Sequence, residues 1–227
     1  MHIIEYGRDK EFRRRYAGID IATGQGQDFT AVCVVDHFAE KIKTNDFPET
    51  FETADRFVIV DLLRERNLDL DAQVKWLANY LTGLNPKPVI SVDATRELSA
   101  TLQLRNELPQ HQINKVIWTG GSGIRREGLK YTCSKVQALM DLKSLVAVGR
   151  LTVAPELPLR DVLISELTGF VFEESPSSGF TIRSNAQHDD TAMALATAVI
   201  PLLQRRVLER KSARAIPNFL AYTEQVK

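Results

Sequence analysis

The chain alternates short β-branched runs with segments of helical spacing, and that order restricts the folds open to it more than any other feature. Two apolar runs, 16–21 and 30–36, flank the stretch Thr23-Gly24-Gln25-Gly26-Gln27-Asp28, which predicts a hairpin. A polar excursion covers 37–55, and a third strand is expected at 56–61. Val74, Leu77, Ala78 and Leu81 share one face of a helix predicted over 71–84, stopped near Gly83 and Pro86. Strands are then expected at 88–93 and 115–119, on either side of a helix at 98–108. The loop Gly120-Gly121-Ser122-Gly123 carries Arg125 and Arg126 and leads to a helix over 135–148 and a strand at 151–153. After a helix near 157–167 come two strand-like pieces, 169–173 and 179–183, joined by the turn chemistry of Pro176-Ser177-Ser178-Gly179. A long apolar helix over 189–208 runs into a basic, polar tail. This order predicts an α/β protein, a mixed sheet flanked by helices on both faces.

Composition narrows the function classes. The 227 residues suffice for a sizeable core. Lys+Arg and Asp+Glu both total 29, so nucleic-acid binding must rest on local patches rather than on overall charge. The two cysteines, Cys33 and Cys133, argue against a disulfide framework or a cysteine-based zinc site and read as reduced thiols. No apolar run approaches the ~18 residues of a membrane span, and Met1-His2-Ile3-Ile4-Glu5 has no signal-peptide pattern. A soluble, cytoplasmic protein is expected.

Three acidic sites adjoin apolar elements, where a charge is costly unless compensated. Asp20 lies between Ile19 and Ile21, Asp93 ends Val89-Ile90-Ser91-Val92, and Asp189 and Asp190 open the last helix after His188. Taken singly, each has a plain structural role, as a solvated turn residue or a helix cap. Together they suggest more. If the first strand pairs in parallel with a later one, Asp20 and Asp93 meet at one edge of the sheet, and a helix across that edge brings Asp189 or Asp190 alongside. Carboxylates so placed repel unless divalent cations neutralise them, and all-oxygen ligation favours Mg²⁺ or Mn²⁺ over zinc. Two such ions about 3.5–4 Å apart suit phosphodiester cleavage. Helical phase sets Asp189 in line with Met193, Ala196 and Ile200 and so aims it slightly better at the core than Asp190; both stay in play. His188 reads equally as ligand, general acid/base or helix-entry residue.

The string Gly18-Ile19-Asp20-Ile21-Ala22-Thr23-Gly24-Gln25-Gly26-Gln27-Asp28-Phe29-Thr30-Ala31 resembles the opening motif of the nuclease domain of phage terminase large subunits. Val92-Asp93-Ala94-Thr95 is similar to that family's second motif, and His188-Asp189-Asp190-Thr191-Ala192-Met193-Ala194-Leu195-Ala196 to its third. The segment from Lys135 to Gly149-Arg150-Leu151 resembles the helix, turn and strand found between them. The resemblance spans roughly residues 16–205. It implies an RNase H-like fold, with a basic extension at 1–15, the nuclease domain at 16–208 and a tail at 209–227. It also implies a metal-dependent endonuclease that cuts double-stranded DNA concatemers during genome packaging. Asp20, Asp93, Asp189 and Asp190 would be the catalytic, metal-binding carboxylates for Mg²⁺ or Mn²⁺, two ions being expected. Asp28 matches a recurrent acidic position and would orient a water at the metal; as a hairpin-turn residue it has a structural reading too. His188 would support the ligands from behind.

Implied partners are double-stranded DNA, an ATPase motor domain, the portal and the small terminase subunit, in the host-cell cytoplasm. No G-x-x-x-x-G-K-[ST] phosphate loop occurs, so an excised or separately encoded domain is expected. For the duplex backbone the best candidates are Arg125, Arg126 and Lys130 after the glycine-rich loop. Arg13–Arg15 and the cluster Arg205, Arg206, Arg210, Lys211 and Arg214 read more simply as solvated faces. The strand-like pair 169–183 suggests a hairpin lying over the site. Competing readings are a Holliday-junction resolvase, a sugar-kinase or actin-like ATPase, and a non-catalytic module that docks on DNA or portal.

Overall fold

The pleat of a β-strand sends alternate side chains to opposite faces, and the first strand shows what this sequence does with that rule. The computed structural model describes residues 10–22, 28–46, 49–66, 68–96, 98–120, 123–175 and 179–210, without the side chains of 43–46, 49–51, 175, 179 and 204–210. Strand β1 (Lys10–Asp20) pairs antiparallel with β2 (Thr30–Asp46), which pairs antiparallel with β3 (Glu49–Glu65). Helix α1 (Leu70–Gly83) leads to β4 (Val89–Asp93), and α2 (Leu98–Glu107) leads to β5 (Ile113–Thr119). A short hairpin, β6 (Ile124–Glu127) and β7 (Lys130–Ser134), precedes α3 (Lys135–Ala147) and β8 (Leu151–Val153). The chain then forms α4 (Arg160–Gly169), a separate hairpin of β9 (Phe170–Ser175) and β10 (Gly179–Ser184), and α5 (Asp190–Arg210).

The eight-stranded sheet runs β6-β7-β5-β4-β1-β2-β3-β8. β4 is parallel to β1, β5 to β4 and β7 to β5, so β1 lies at the junction of the antiparallel and parallel halves. Ala17 and Ile19 of β1, with Val32, Val34, Ile90 and Val92, pack under α1 and α2. Tyr16, Ala31, Cys33, Val35 and Val89 face the opposite way and join the core with α3, α4 and α5. Helices thus cover both faces of a mixed sheet, an α/β, RNase H-like architecture. α1 is a plain amphipathic helix: Asp69 caps it by accepting from the Ala72 N–H at 2.8 Å, and Val74, Leu77, Ala78 and Leu81 are buried. Among the described residues no helix is long and apolar enough to cross a membrane.

The structure departs from the expected elements where polar strands gave no alternation to read. The excursion at 37–55 is no loop: β2 and β3 continue through it as a long ladder whose Lys41, Glu52 and Thr53 are exposed. Backbone pairing rather than side-chain burial defines it. The basic stretch Arg13–Arg15, placed in an extension before the first strand, lies inside β1. There β1 pairs with β2 alone, since β4 joins only from Tyr16, and the side chains at 10–14 are exposed. Arg15 holds the buried Asp36 with two bonds, at 2.6 and 2.8 Å, and is a structural residue. Arg125 and Arg126, expected after a flexible loop, sit on β6. The Gly24–Gln27 turn, Gly121 and Ser122, Pro176 to Ser178, Lys211, Arg214, the first nine residues and the tail from 211 lie outside the described residues, as do the side chains of Arg205, Arg206 and Arg210.

Candidate active site

Strand register decides where the first two carboxylates point. Ile19 pairs with Val92, so Asp20 and Asp93 are the next residues along two adjacent parallel strands. Tyr16, Gly18 and Asp20 share one face of β1, and Val89, Ser91 and Asp93 share one face of β4. Tyr16 and Val89 belong to the core under α5, so both aspartates rise on the α5 side, at the carboxyl ends of their strands. Asp93 is fixed by its own turn: one carboxylate oxygen accepts from the Thr95 N–H at 2.8 Å, while the Thr95 hydroxyl accepts from the Trp118 N–H at 2.9 Å.

Helix α5 reaches this edge because β1 has no side chain at residue 18. A Cβ there would stand 2.0 Å from the Ala194 carbonyl oxygen and 2.2 Å from the Ala198 nitrogen. The helix backbone therefore lies directly on the strand, and Ala192 to Ile200 are all buried. Its first turn is held from outside. Glu166, buried on α4, accepts from the Ala192 N–H at 2.9 Å and from the Thr191 hydroxyl, capping α5 with a carboxylate from another helix. Arg64 of β3 approaches Glu166 at 3.5 Å and lies 3.8 Å over the Phe29 ring. Phe29 in turn packs edge-on against His188 at 5.2 Å. His188 Nδ1 stands 3.7 Å from Asp190 Oδ2, too long for a hydrogen bond.

Asp20, Asp28, Asp93, Asp189 and Asp190 border one cleft of about 270 Å³, together with Thr95, Arg96, Trp118 and Lys135. Burial first, then repulsion from Asp93, Asp190 and Asp189, holds the Asp20 carboxyl well above the usual carboxylate range; Lys135 opposes the shift. Asp190 is raised to about 6, again by burial first, with Glu166, Asp189 and Asp28 adding to it and His188 opposing. Asp190 is 7% exposed, and among the described residues neither its Oδ2 nor the buried Nε1 of Trp118 has a hydrogen-bond partner. Asp189 is less buried and pairs with Lys135 Nζ at 2.9 Å. The helical phase had favoured Asp189 as the inward residue, but α5 is buried nearly all round at this end, so its apolar stripe has no single direction. Among the described residues, no three His, Cys, Asp or Glu side chains already converge closely enough to cage an ion.

The basic residues fall differently from expectation. Arg125 pairs with Thr132 and Arg126 with Tyr131, while Lys130 opens β7 at the far end of the hairpin. All three are exposed and none borders the cleft; at ~3.3 Å per residue, Lys130 starts roughly 13 Å along the strand from Ser134. Arg126 lies 5.4 Å over the Tyr131 ring. The cleft's own cations are Arg96 and Lys135, which sequence reasoning passed over, as it did Glu166, Arg64 and Trp118. Lys135 left one signal: it follows the helix cap Ser134 and puts a positive charge at the helix end that favours a negative one. The β9–β10 hairpin, expected over the site, packs against α3 and α4 and contributes no described residue to the cleft lining.

Solved structures of known proteins match this fold. The large terminase nuclease from thermophilic phage G20c superposes with a TM-score of 0.54 at 18% identity, over 86% of this chain and 89% of that one. The Thermus phage P74-26 large terminase nuclease domain gives a TM-score of 0.50 at 19% identity, over 86% of each chain. The chain has the fold of the large terminase nucleases. The G20c nuclease with bound cobalt matches with a TM-score of 0.50 at 18% identity, over 86% of this chain and 88% of that one. No protein-family model matches the sequence, and no curated protein matches it.

Proposed function

We propose that this chain is the nuclease part of a phage terminase large subunit, a Mg²⁺- or Mn²⁺-dependent endonuclease hydrolysing phosphodiester bonds of double-stranded DNA concatemers during genome packaging. The observation that carries the reading is the meeting of Asp20, Asp93, Asp189 and Asp190, from β1, β4 and the start of α5, in one cleft of a terminase-nuclease fold. The donors suit hard divalent cations. They are all oxygen, Asp20 is pushed toward protonation by burial and by three neighbouring carboxylates, and Asp190 has a buried oxygen with no hydrogen-bond partner among the described residues. Asp20 and Asp93, with Asp189 and Asp190, would hold two ions, and the cobalt bound by the G20c nuclease supports a divalent occupant. Such ions supply Lewis-acid stabilisation at a phosphate and lower the pKa of a water. The chain's own residues orient these donors: Thr95 fixes Asp93, Glu166 and Gly18 seat the α5 carboxylates, and His188 and Asp28 flank Asp190.

Arg96 and Lys135 would meet the backbone phosphates nearest the reaction, and Arg125, Arg126 and Lys130 would contact the duplex farther along, without reading sequence. Assembly with an ATPase motor, portal and small subunit in the host cytoplasm belongs to the same proposal. Plasmid nicking tests it. Cleavage is expected with Mg²⁺ or Mn²⁺ and none with EDTA, and Asp20→Ala and Asp93→Ala each lower it by more than ~100-fold. Equal cleavage by wild type and variants overturns the assignment.

A further inference from the structure

Lys135 is an odd residue to begin a helix with. It follows the cap Ser134, whose hydroxyl accepts from the Gln137 N–H at 3.2 Å, and α3 has no acidic residue in its first turn to offset the charge. A cation at that end opposes the helix dipole. The compensation comes from across the cleft, where Nζ meets Asp189 Oδ2 at 2.9 Å. The same ammonium acts favourably on the ionised form of Asp20, the residue most burdened by its acidic neighbours. Both members of the Lys135–Asp189 pair keep about a third of their side-chain surface in solvent, 36% and 32%, so the pair opens toward water and not toward the core.

We propose that Lys135 is a built-in counter-ion of the carboxylate cleft, holding with its ammonium the donor oxygen of Asp189 that a divalent cation would need. The inference rests on the metal-site reading above. Five aspartates border the cleft, Asp20, Asp28, Asp93, Asp189 and Asp190, and Lys135 pairs with one of them. A divalent cation that draws on Asp189 must first displace the ammonium, and the flexible four-carbon stem of lysine lets it swing aside. Lys135 thus restrains carboxylate repulsion before an ion arrives and weakens the affinity for that ion by competing with it. Once displaced, the ammonium remains beside the cleft as a contact for a phosphate.

The competition has a sign that loss of structure does not imitate. Mn²⁺ binding is measured by titration calorimetry on the wild type, Lys135→Met and Lys135→Arg, alongside thermal melts in EDTA. Lys135→Met is expected to bind Mn²⁺ roughly tenfold more tightly while melting at a lower temperature in EDTA, and Lys135→Arg to stay close to wild type in both. Lys135→Gln carries the same expectation should the methionine variant not fold. Equal or weaker Mn²⁺ binding in the uncharged variants, with a wild type that binds, removes the counter-ion role and leaves the nuclease reading intact. Absence of Mn²⁺ binding in every form, wild type included, overturns the metal reading and this inference with it.

Discussion

Asp190, like Asp20, is a residue whose ionisation the fold penalises. In the unfolded chain it titrates near ~4, whereas the folded value is about 6, and Asp20 is displaced in the same direction. Between these values the folded protein holds protons that the unfolded chain has released. The stability tied to Asp190 is therefore full below about pH 4 and is lost as pH rises through about 6, and Asp20 acts in the same direction. In EDTA, Asp190→Asn should lose less melting temperature than wild type between about pH 5 and pH 7, the difference amounting to several degrees. An identical pH dependence would mean that burial and repulsion do not act on this carboxyl as its surroundings imply.

At the scale of elements, everything at the site depends on α5 lying flat on β1. Gly18 makes that contact possible, and the alanines facing it, Ala194 and Ala198, leave the helix backbone as the touching surface. Gly18→Ala puts a methyl group into backbone atoms that have no flexible end to move. It should cost at least ~3 kcal/mol in denaturant unfolding, the upper part of the overpacking range, and reduce nicking further by lifting Asp189 and Asp190 from the cleft. A neutral Gly18→Ala would contradict the close packing. The other fastening of α5, Glu166, predicts a milder pattern. Glu166→Gln keeps acceptor capacity for the Ala192 N–H and Thr191 hydroxyl and should melt near wild type, while Glu166→Ala should lose about 1–2 kcal/mol, the usual cost of a lost cap.

For the molecule as a whole, the cleft is a charge imbalance that the scaffold tolerates because it sits at the open, carboxyl-terminal edge of the parallel strands. An ion that binds only the folded chain stabilises it by mass action. With Mn²⁺ at about 100 times its dissociation constant the gain is ~2.7 kcal/mol, or roughly 5–10 °C for a chain of this size. Thermal melts with Mn²⁺ against EDTA check this, and a wild type with no rise speaks against an ion in the cleft. The exposed cations on the edge hairpin β6–β7 stand apart from that imbalance. Neutralising Arg125 and Lys130 should weaken duplex binding equally for unrelated sequences and make it less salt-dependent.

Patterns short in the sequence were legible because local physics sets them. The buried runs ending in Asp20 and Asp93, the amphipathic face of α1, the cap-and-helix at Ser134 and the acidic start of α5 all depend on neighbours within a few residues. The juxtaposition of the carboxylates required one further premise, that the first strand pairs in parallel with a later one, and the alternation of strands and helices supplied it. What stayed hidden depends on partners far along the chain. The polar ladder of β2 and β3 is held by backbone bonds that no side-chain period records. Glu166 caps a helix that begins 24 residues later, Arg64 bridges Phe29 to that cap, and Lys135 meets Asp189 across 54 positions of sequence. The chain by itself determined the buried strands, the amphipathic helices and which carboxylates end them, because burial and capping act locally. Only the tertiary structure decided which charges compensate which, because electrostatic partnership is a matter of distance in space.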